Sequence, residues 1–476
     1  MRLDHALDRS NTTAFHPVTI LCLLLLQAAI VYLGVSIHPL LILGIPLAIF
    51  LFWWAVSHPE FSLILMTLTG IIKGFLEESV PILALVDYTL LLTGVVWLGA
   101  TKAVIEGRWK VPHWSRKVLY SFSVFCLLLA FSGFYTPSPL YGWIKIASYC
   151  VFGMTLFLVP IVLVKTCRDS VRVLNYYKVL LLIVAFGLAG ALLYLFLQGG
   201  LKTYLIRVSV LGANPIPISR NLAILASMLI VLVLRQGGLS QLSWIPLLLI
   251  TLLGLVSTGS RGPLLSLFLG VVVYTVFFEP QRRLKLLLYS LLAFGVVLVL
   301  LLLLPESLTM RYLQVLEGDV VVVTGGVKRM STIAMRLEFW QMSIASFLAD
   351  IRHMLFGIGS GGFSSLFIWR DFKWYPHNMF MEVTAELGLF GLISYFTFLL
   401  LAARTILNSR PHQGFSIQTS LWLVALLVMF FAAQFSGDLN NNRGFLLLLA
   451  MAMTSAKADE ASAENRFSNT GPRVRA

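Results

Sequence analysis

A histidine and four arginines are the residues of this sequence whose types and spacing are best suited to chemistry. His377 opens the stretch HNMFMEVTAELG, at the point where an apolar, helix-like run begins. A histidine has an unperturbed pKa of about 6.5 and accepts a proton from a hydroxyl near neutral pH. The arginines lie upstream in short polar segments: Arg207, Arg220, Arg261 and Arg336.

Arginines at helix starts and loop ends are suited to phosphate. A guanidinium stays charged and grips two oxygens at once, and the backbone amides of a helix start favour the same anions. Several arginines together would neutralise a pyrophosphate as it leaves. With His377 as the base, the set predicts transfer of a group from a pyrophosphate to an alcohol.

Each of these residues also has a structural interpretation. An arginine at a membrane edge often extends its side chain to lipid phosphates, and a histidine at a helix start caps that helix. The chemical interpretation gains weight only because all five residues fall on one predicted face of the molecule.

That face follows from the composition. Of 476 residues, 58% are hydrophobic and only 12% are charged, which excludes an ordinary soluble domain. Apolar runs recur along the chain, and a span of about 20 residues crosses a bilayer. We predict an all-α, polytopic transmembrane helix bundle of about 12–14 spans, at 18–36, 40–56, 61–73, 85–101, 118–132, 146–164, 179–197, 219–234, 244–258, 262–278, 286–304, 378–403, 417–435 and 444–456.

The basic residues give the orientation. Lys and Arg concentrate in alternate short loops, which are cytoplasmic by the positive-inside rule, so both termini are predicted to be cytoplasmic. The formal net charge of +14 reflects this bias and an affinity for anionic lipid, which argues against nucleic-acid binding. Residues 1–456 are predicted to form a single transmembrane domain, and residues 457–476 a disordered cytoplasmic tail. His377 and the four arginines then face the periplasm.

One long periplasmic loop, from Pro305 to Pro376, stands out by its length. Its segment GDVVVVTGGVKRMS predicts a short strand or a flexible turn. Residues Ile333 to Leu348 carry apolar side chains at alternating spacings of four and three, which predicts an amphipathic helix on the membrane surface or over a cavity. The segment FGIGSGGFSS predicts either backbone amides that contact a phosphate or merely a tight turn.

Other polar residues carry weaker signals. Glu382 and Glu386 lie on one face of a helix and are interpreted either as charge partners of the arginines or as residues that favour the helix dipole. Asp438, Asn440 to Asn442 and Arg443 form a last polar periplasmic turn that could face an acceptor. Nothing on the predicted periplasmic face has metal-ligand spacing, so we expect neither a metal nor another cofactor.

Several motifs resemble the O-antigen ligase and O-antigen polymerase family of bacterial membrane proteins. His377-Asn378, nine residues and then Gly388 match that family's pattern, and Arg207 with Leu211 fits its Arg-x-x-x-Leu motif. STGSRGPLLSLFLG resembles its Ser-Arg-Gly turn, and GANPIPISR its Asn-Pro element. Arg336, Trp340 and FGIGSGGF resemble its outer-loop signature. The resemblance covers roughly residues 200–400.

The resemblance implies a metal-independent glycosyltransferase of the bacterial inner membrane. It would take a glycan from undecaprenyl pyrophosphate and join it to an acceptor sugar hydroxyl at the periplasmic face. The family's base maps onto His377, and its pyrophosphate-binding arginines map onto Arg261, Arg336 and one of Arg207 and Arg220. The expected partners are the lipid-linked glycan, the acceptor and membrane lipids.

Two alternatives stay open. A ligase would pass a finished glycan to the lipid A core in lipopolysaccharide biosynthesis, whereas a polymerase would extend a polysaccharide still on its carrier. A solute transporter is the competing class, but transporters place ionisable residues near mid-membrane and often show repeated halves. The predicted spans are nearly free of charge and show no repeat, which favours the enzyme.

Overall fold

The computed structural model describes residues 41–79, 87–197, 214–235, 239–279, 319–323, 326–330, 332–367 and 371–469, with isolated helical positions within 27–36 and 283–299. The chain divides into two compact units, Met1–His58 and Pro59–Ala476. The described part of the first unit is mainly one helix, α1. Everything discussed below lies in the second unit.

Helices dominate the described residues. They are α1 (Leu41–Ser57), α2 (Pro59–Ser79), α3 (Tyr88–Ile105), α4 (Arg116–Ser132), α5 (Pro139–Ser148), α6 (Met154–Leu163), α7 (Cys167–Leu197), α8 (Pro215–Arg235), α9 (Leu239–Ser257), α10 (Arg261–Phe278), α11 (Thr332–Phe347), α12 (Ile351–Phe356), α13 (Met379–Asn408), α14 (Ile417–Phe435) and α15 (Gly444–Asn469). A π-helical turn, Tyr149–Gly153, joins α5 to α6.

The polytopic helical bundle predicted from the sequence is confirmed. Among the described residues, eight helices are long and apolar enough to cross a membrane, or up to nine if one bent pair counts as a span. Each predicted span that falls in the described residues coincides with a helix. The predicted spans 18–36 and 286–304 fall largely outside the described residues, so the total of 12–14 stays a prediction.

Helix α8 lies at the centre of the bundle. It packs against α9, α10 and α14, and nearly all of its side chains from Ile218 to Leu234 are buried. A helix that is apolar on every side is expected in such a position. One consequence is that Arg220, in the second turn of α8, is enclosed by protein and is only 7% exposed.

The long loop contains both predicted elements. Strands β1 (Asp319–Val323) and β2 (Gly326–Met330) pair antiparallel, so of the two alternatives the strand is confirmed. Helix α11 confirms the predicted amphipathic helix, but its two faces have different roles. Ile333, Leu337 and Ile344 are 44–50% exposed, whereas Phe339 is buried against the rest of the loop.

This exposure suits a helix that rests on a membrane. A stripe of large apolar side chains that no protein covers is stable where lipid covers it. The opposite face of α11 carries Arg336 and Phe339 toward the segment that ends at His377.

The tail predicted to be disordered from residue 457 is helical through Asn469, because α15 continues beyond the predicted span. Two contacts support the extension. The Asp459 carboxylate accepts a hydrogen bond from the Ser416 amide at 2.8 Å, and Lys457 pairs with Glu460 one turn later at 2.6 Å. Residues 470–476 lie outside the described residues.

Candidate functional site

His377 has a strained backbone. Its φ is +58°, and it is the sole non-glycine residue with positive φ in the described part of the chain. Such a conformation costs about 1–3 kcal/mol and often occurs at functional sites. The helix cap is its neighbour: the Asn378 side chain accepts hydrogen bonds from the amides of Phe380 and Met381 at 2.9 and 3.1 Å. His377 is therefore not the cap of α13.

Aromatic rings fix the imidazole of His377. It stacks parallel to Phe339 of α11, with ring centroids 6.2 Å apart, and meets the edge of Tyr375 at 4.6 Å. Trp340 of α11 donates a hydrogen bond to the Pro376 carbonyl at 3.1 Å, which ties the segment to the helix. The Nδ1 atom of His377 is buried without a hydrogen-bond partner in the described structure. An orphaned buried polar atom of this kind calls for an explanation, such as a ligand.

The charges around His377 set its protonation. Burial, first of all, and the positive charges of Arg336 and Arg220 together lower its pKa to about 4, while the negative charge of Asp438 opposes them. The pKa of Arg336 is itself lowered, first by burial and then by the charge of Arg261. The structure thus brings four of the five predicted residues, Arg220, Arg261, Arg336 and His377, into one electrostatic neighbourhood.

Arg220 is held by the polar turn that precedes α15. Its Nη2 donates to the Ser436 carbonyl at 2.5 Å, while its Nε is buried without a partner in the described structure. The turn itself is ordered by Asp438, whose carboxylate accepts from the Asn441 amide at 2.7 Å and from the Tyr141 hydroxyl at 2.9 Å. The turn from Ser436 to Arg443 is therefore part of the site, where the sequence indicated only that it could face an acceptor.

A cavity of about 210 Å³ lies between α2, α8 and this turn. Its lining includes Arg220, Asn221, Tyr375, Asn441 and Arg443. Tyr375, one of the lining residues, also contacts the ring of His377, which does not itself line the cavity.

Arg443 is a second cation of this cavity. Its Nη2 donates to Thr89 Oγ1 at 3.1 Å, and its guanidinium lies 5.0 Å from the centroid of the Phe152 ring. Burial lowers its pKa, and the charges of Asp438 and Asp87 oppose that effect.

Of the two other predicted arginines, the structure describes Arg261 but not Arg207. Arg261 is the first residue of α10 and is partly buried. The preceding turn is sharp, with Gly259 at φ +64°, and the buried Ser260 Oγ has no hydrogen-bond partner in the described structure. Arg207 lies outside the described residues.

The glycine-rich segment proves to be the tight turn and not a phosphate loop. Its amides already have partners within the protein: Ile358 and Gly359 donate to the Ala385 and Glu386 carbonyls at 2.9 Å, and Gly361 donates to the Glu386 carboxylate at 2.9 Å. The Ser360 amide donates to the Ser132 hydroxyl at 3.1 Å. No amide between 358 and 362 is left to bind an anion.

The same contacts explain why position 388 is a glycine. Gly388 interrupts α13 with φ +61° and ψ −156°, a region open essentially to glycine. A Cβ at Gly388 would lie 2.6 Å from the Gly357 nitrogen, and one at Gly357 would lie 2.3 Å from the Glu386 carbonyl carbon. The kink in α13 and the glycine turn therefore fit together only because both are glycine.

Glu382 and Glu386 form a buried triad with Lys145 that the sequence did not reveal. Lys145 Nζ pairs with the Glu382 carboxylate and with Glu386 Oε2, the latter at 2.5 Å, and all three side chains are at most 1% exposed. Glu382 also accepts from the Leu439 amide at 2.9 Å. The triad joins α5 and α13 to the glycine turn and the Ser436–Arg443 turn.

The triad shows that the prediction of spans nearly free of charge was wrong. The predicted pairing of Glu382 or Glu386 with the arginines was wrong as well, because both glutamates pair with Lys145. Two carboxylates four residues apart within an apolar helix require a buried cation. From this requirement the sequence could have predicted a buried cation such as Lys145 beside Glu382 and Glu386. In the described ranges, no three His, Cys, Asp or Glu side chains are placed to hold a metal ion.

Comparison with known protein families gives a match. Residues 246–396 match the family model described as O-antigen ligase, and this segment includes Arg261, Arg336, His377 and Gly388 but not Arg207 or Arg220. No curated protein matches the chain. The matched segment and the apolar helices confirm the resemblance inferred from the sequence motifs. The chain has the long apolar helices of a multi-pass membrane protein, and its residues 246–396 match the model of the O-antigen ligase family.

Proposed function

We propose that the chain is a metal-independent glycosyltransferase that moves a glycan from undecaprenyl pyrophosphate to a sugar hydroxyl at the periplasmic face of the inner membrane. The acceptor we favour is the lipid A core, which makes the chain a ligase. The observation that carries the proposal is His377, whose buried Nδ1 has no partner in the described structure and whose imidazole is held by aromatic rings near the charges of Arg336 and Arg220.

In the proposed reaction His377 accepts the proton of the acceptor hydroxyl. The acceptor oxygen then bonds to the anomeric carbon of the donor glycan, and the bond between that carbon and the pyrophosphate oxygen breaks. Undecaprenyl pyrophosphate leaves with the electron pair, and the proton stays on the imidazole until water removes it.

The arginines would stabilise the charge that develops on the leaving pyrophosphate. Arg220 and Arg336 each have a buried Nε without a partner in the described structure, so each retains a donor for an oxygen of the donor substrate. Arg261 adds charge at the start of α10. Arg207 stays a proposal from the sequence alone.

The decisive experiment uses purified protein and a lipid-linked oligosaccharide. Incubation with lipid A core should give single transfer of the glycan to that acceptor. A ladder of lengths formed without any added acceptor would identify a polymerase and contradict the ligase. The products separate by gel electrophoresis, so one assay distinguishes the two reactions.

Replacement of His377 by Ala tests its role as the base. We expect transfer to fall by about 10²–10⁴-fold, the usual contribution of general base catalysis. The matched control is His353→Ala, because His353 lies on α12 and pairs with Asp350 at 2.9 Å near the surface. Unchanged transfer by a folded His377→Ala protein would refute the assignment.

Replacement of Arg336 tests the pyrophosphate site. We expect Arg336→Gln to lower kcat/KM for the donor by about 10–100-fold, since a charge-assisted hydrogen bond contributes about 1.5–3 kcal/mol. Arg352→Gln is the control, because Arg352 lies 5.9 Å from the Tyr135 ring and not among the arginines near His377. Equal kinetics for both variants would exclude Arg336 from donor binding.

A further inference from the structure

A second cavity lies at the far end of helix α13. His377 precedes the first residue of this helix, whereas Arg404 and Asn408 lie in its last turns. The cavity has a volume of about 300 Å³ and is formed by the start of α4, the end of α13 and the extended part of α15. This cavity and the proposed glycan-transfer site therefore lie at opposite ends of α13.

Three basic side chains from three different helices meet at this cavity. Lys117 comes from α4, Arg404 from α13 and Lys457 from α15. Lys457 is partly neutralised by Glu460 at 2.6 Å. Lys117 and Arg404 make no hydrogen bond or ion pair in the described part of the chain. The cavity therefore has an excess of positive charge.

The rest of the lining is amphipathic. Trp114 and Asn408 accompany the cations, while Leu401, which is partly exposed, supplies an apolar wall. Tryptophan is enriched at the headgroup level of membranes, and its position here beside lysine and arginine fits that level. A free phosphate would use only the cations, whereas a phospholipid would use the apolar wall as well.

The general preferences of membrane proteins for basic residues do not explain why three cations line one cavity. A basic residue near the C-terminal end of a helix is favoured by the helix dipole, and alternate loops of a membrane protein are rich in lysine and arginine. Neither preference requires cations of three helices to share one cavity. Like charges brought together repel one another, and of the three cations only Lys457 has an acidic partner in the described part of the chain. A bound anion relieves that repulsion.

We propose that this cavity binds the phosphate headgroup of one anionic phospholipid, with an acyl chain along Leu401. The site is distinct from the proposed glycan-transfer site and does not depend on that function. The bound lipid would hold α4, α13 and α15 together at this end of the bundle.

The test compares lipid retention by the full chain and by two matched double variants. The purified protein is titrated with phosphatidylglycerol in phosphatidylcholine nanodiscs, and bound lipid is counted by native mass spectrometry after release. The variant Lys117→Gln/Arg404→Gln removes two cations of the cavity. The control Lys102→Gln/Arg168→Gln removes two exposed cations that do not line it.

We expect the cavity variant to bind its most tightly retained phosphatidylglycerol about 30-fold more weakly, because each basic group near a membrane surface contributes about 1 kcal/mol. The control should retain that lipid as the unmodified protein does. All four side chains are exposed or at the surface, so both variants should fold. The conservative variant Lys117→Arg/Arg404→Lys should bind normally.

Two outcomes would overturn the proposal. Equal weakening in the cavity variant and the control would show diffuse surface attraction and no defined site. Displacement of the retained lipid by millimolar inorganic phosphate, at constant ionic strength, would assign the cavity to free phosphate and reject the lipid as its occupant.

Discussion

At the scale of single residues, His377 combines a strained backbone with a depressed pKa. At neutral pH the imidazole is neutral, because burial and the charges of Arg336 and Arg220 lower its pKa to about 4. A neutral imidazole can accept a proton, but a pKa this low makes it a weak base. A bound pyrophosphate would offset the arginine charges and raise the pKa, so the base would strengthen when the donor is present.

This reasoning predicts a specific pH dependence. The protonated imidazole cannot act as a base, so activity is present above the pKa of His377 and is lost as the pH falls through it. We expect the acid limb of kcat/KM, which reports the free enzyme, to break near pH 4. The acid limb of kcat, which reports the donor complex, should break at a higher pH. Initial rates of transfer between pH 3.5 and 8 give both acid limbs. If kcat and kcat/KM broke at the same pH, the bound donor would not raise the pKa of His377, and the prediction would be wrong.

At the scale of elements, the interruption of α13 positions the site. The glycine turn docks on the kink through the Ala385 and Glu386 carbonyls, and this leaves the first turns of α13 beside α11 and the Ser436–Arg443 turn. Most of the helical segments could be predicted from the sequence, because apolar length and periodicity are local properties. The role of each glycine could not be predicted, since it depends on a backbone some 30 residues away.

Gly388→Ala should therefore disrupt this docking. The substituted residue would occupy a backbone region open essentially to glycine, and its Cβ would lie 2.7 Å from the Leu355 carbonyl oxygen. We expect a loss of stability of about 3 kcal/mol or more and loss of transfer.

The control is Gly187→Ala in α7, where an added Cβ meets nothing within 4 Å. That change should be neutral or stabilise by about 0.5–1 kcal/mol. Thermal unfolding in detergent compares the two proteins. A Gly388→Ala protein as stable as Gly187→Ala would show that the kink does not require glycine.

At the scale of the whole molecule, the Lys145 triad joins parts of the chain that are far apart in sequence. Glu382 and Glu386 belong to α13, Lys145 belongs to α5, and the glycine turn and the Ser436–Arg443 turn both donate amides to the carboxylates. A buried ion pair is not in itself strongly stabilising, because the charges lose their hydration. Removal of one partner is costly, since it leaves an unpaired buried charge.

Lys145→Met should accordingly destabilise the protein by about 3–5 kcal/mol and displace the Ser436–Arg443 turn. The control, Arg108→Ala, breaks an exposed pair with Glu106 and should leave stability unchanged within error. Thermal unfolding gives the stability, and protease accessibility near Arg443 gives the position of the turn. A Lys145→Met protein as stable as the control would mean that the triad does not tie these segments together.

The sequence by itself determined the helical class, the positions of most spans and the residue types suited to the chemistry. Bilayer thickness imposes apolar length, and the family motifs from Arg261 to Gly388 are local. Tertiary structure decided which groups meet. It brought Arg220 and Arg336 near His377 and Arg261 near Arg336. It also paired Glu382 and Glu386 with Lys145, and it placed the glycines where they dock on α13 and do not bind an anion. These outcomes depend on packing between distant segments, which local periodicity and spacing do not encode.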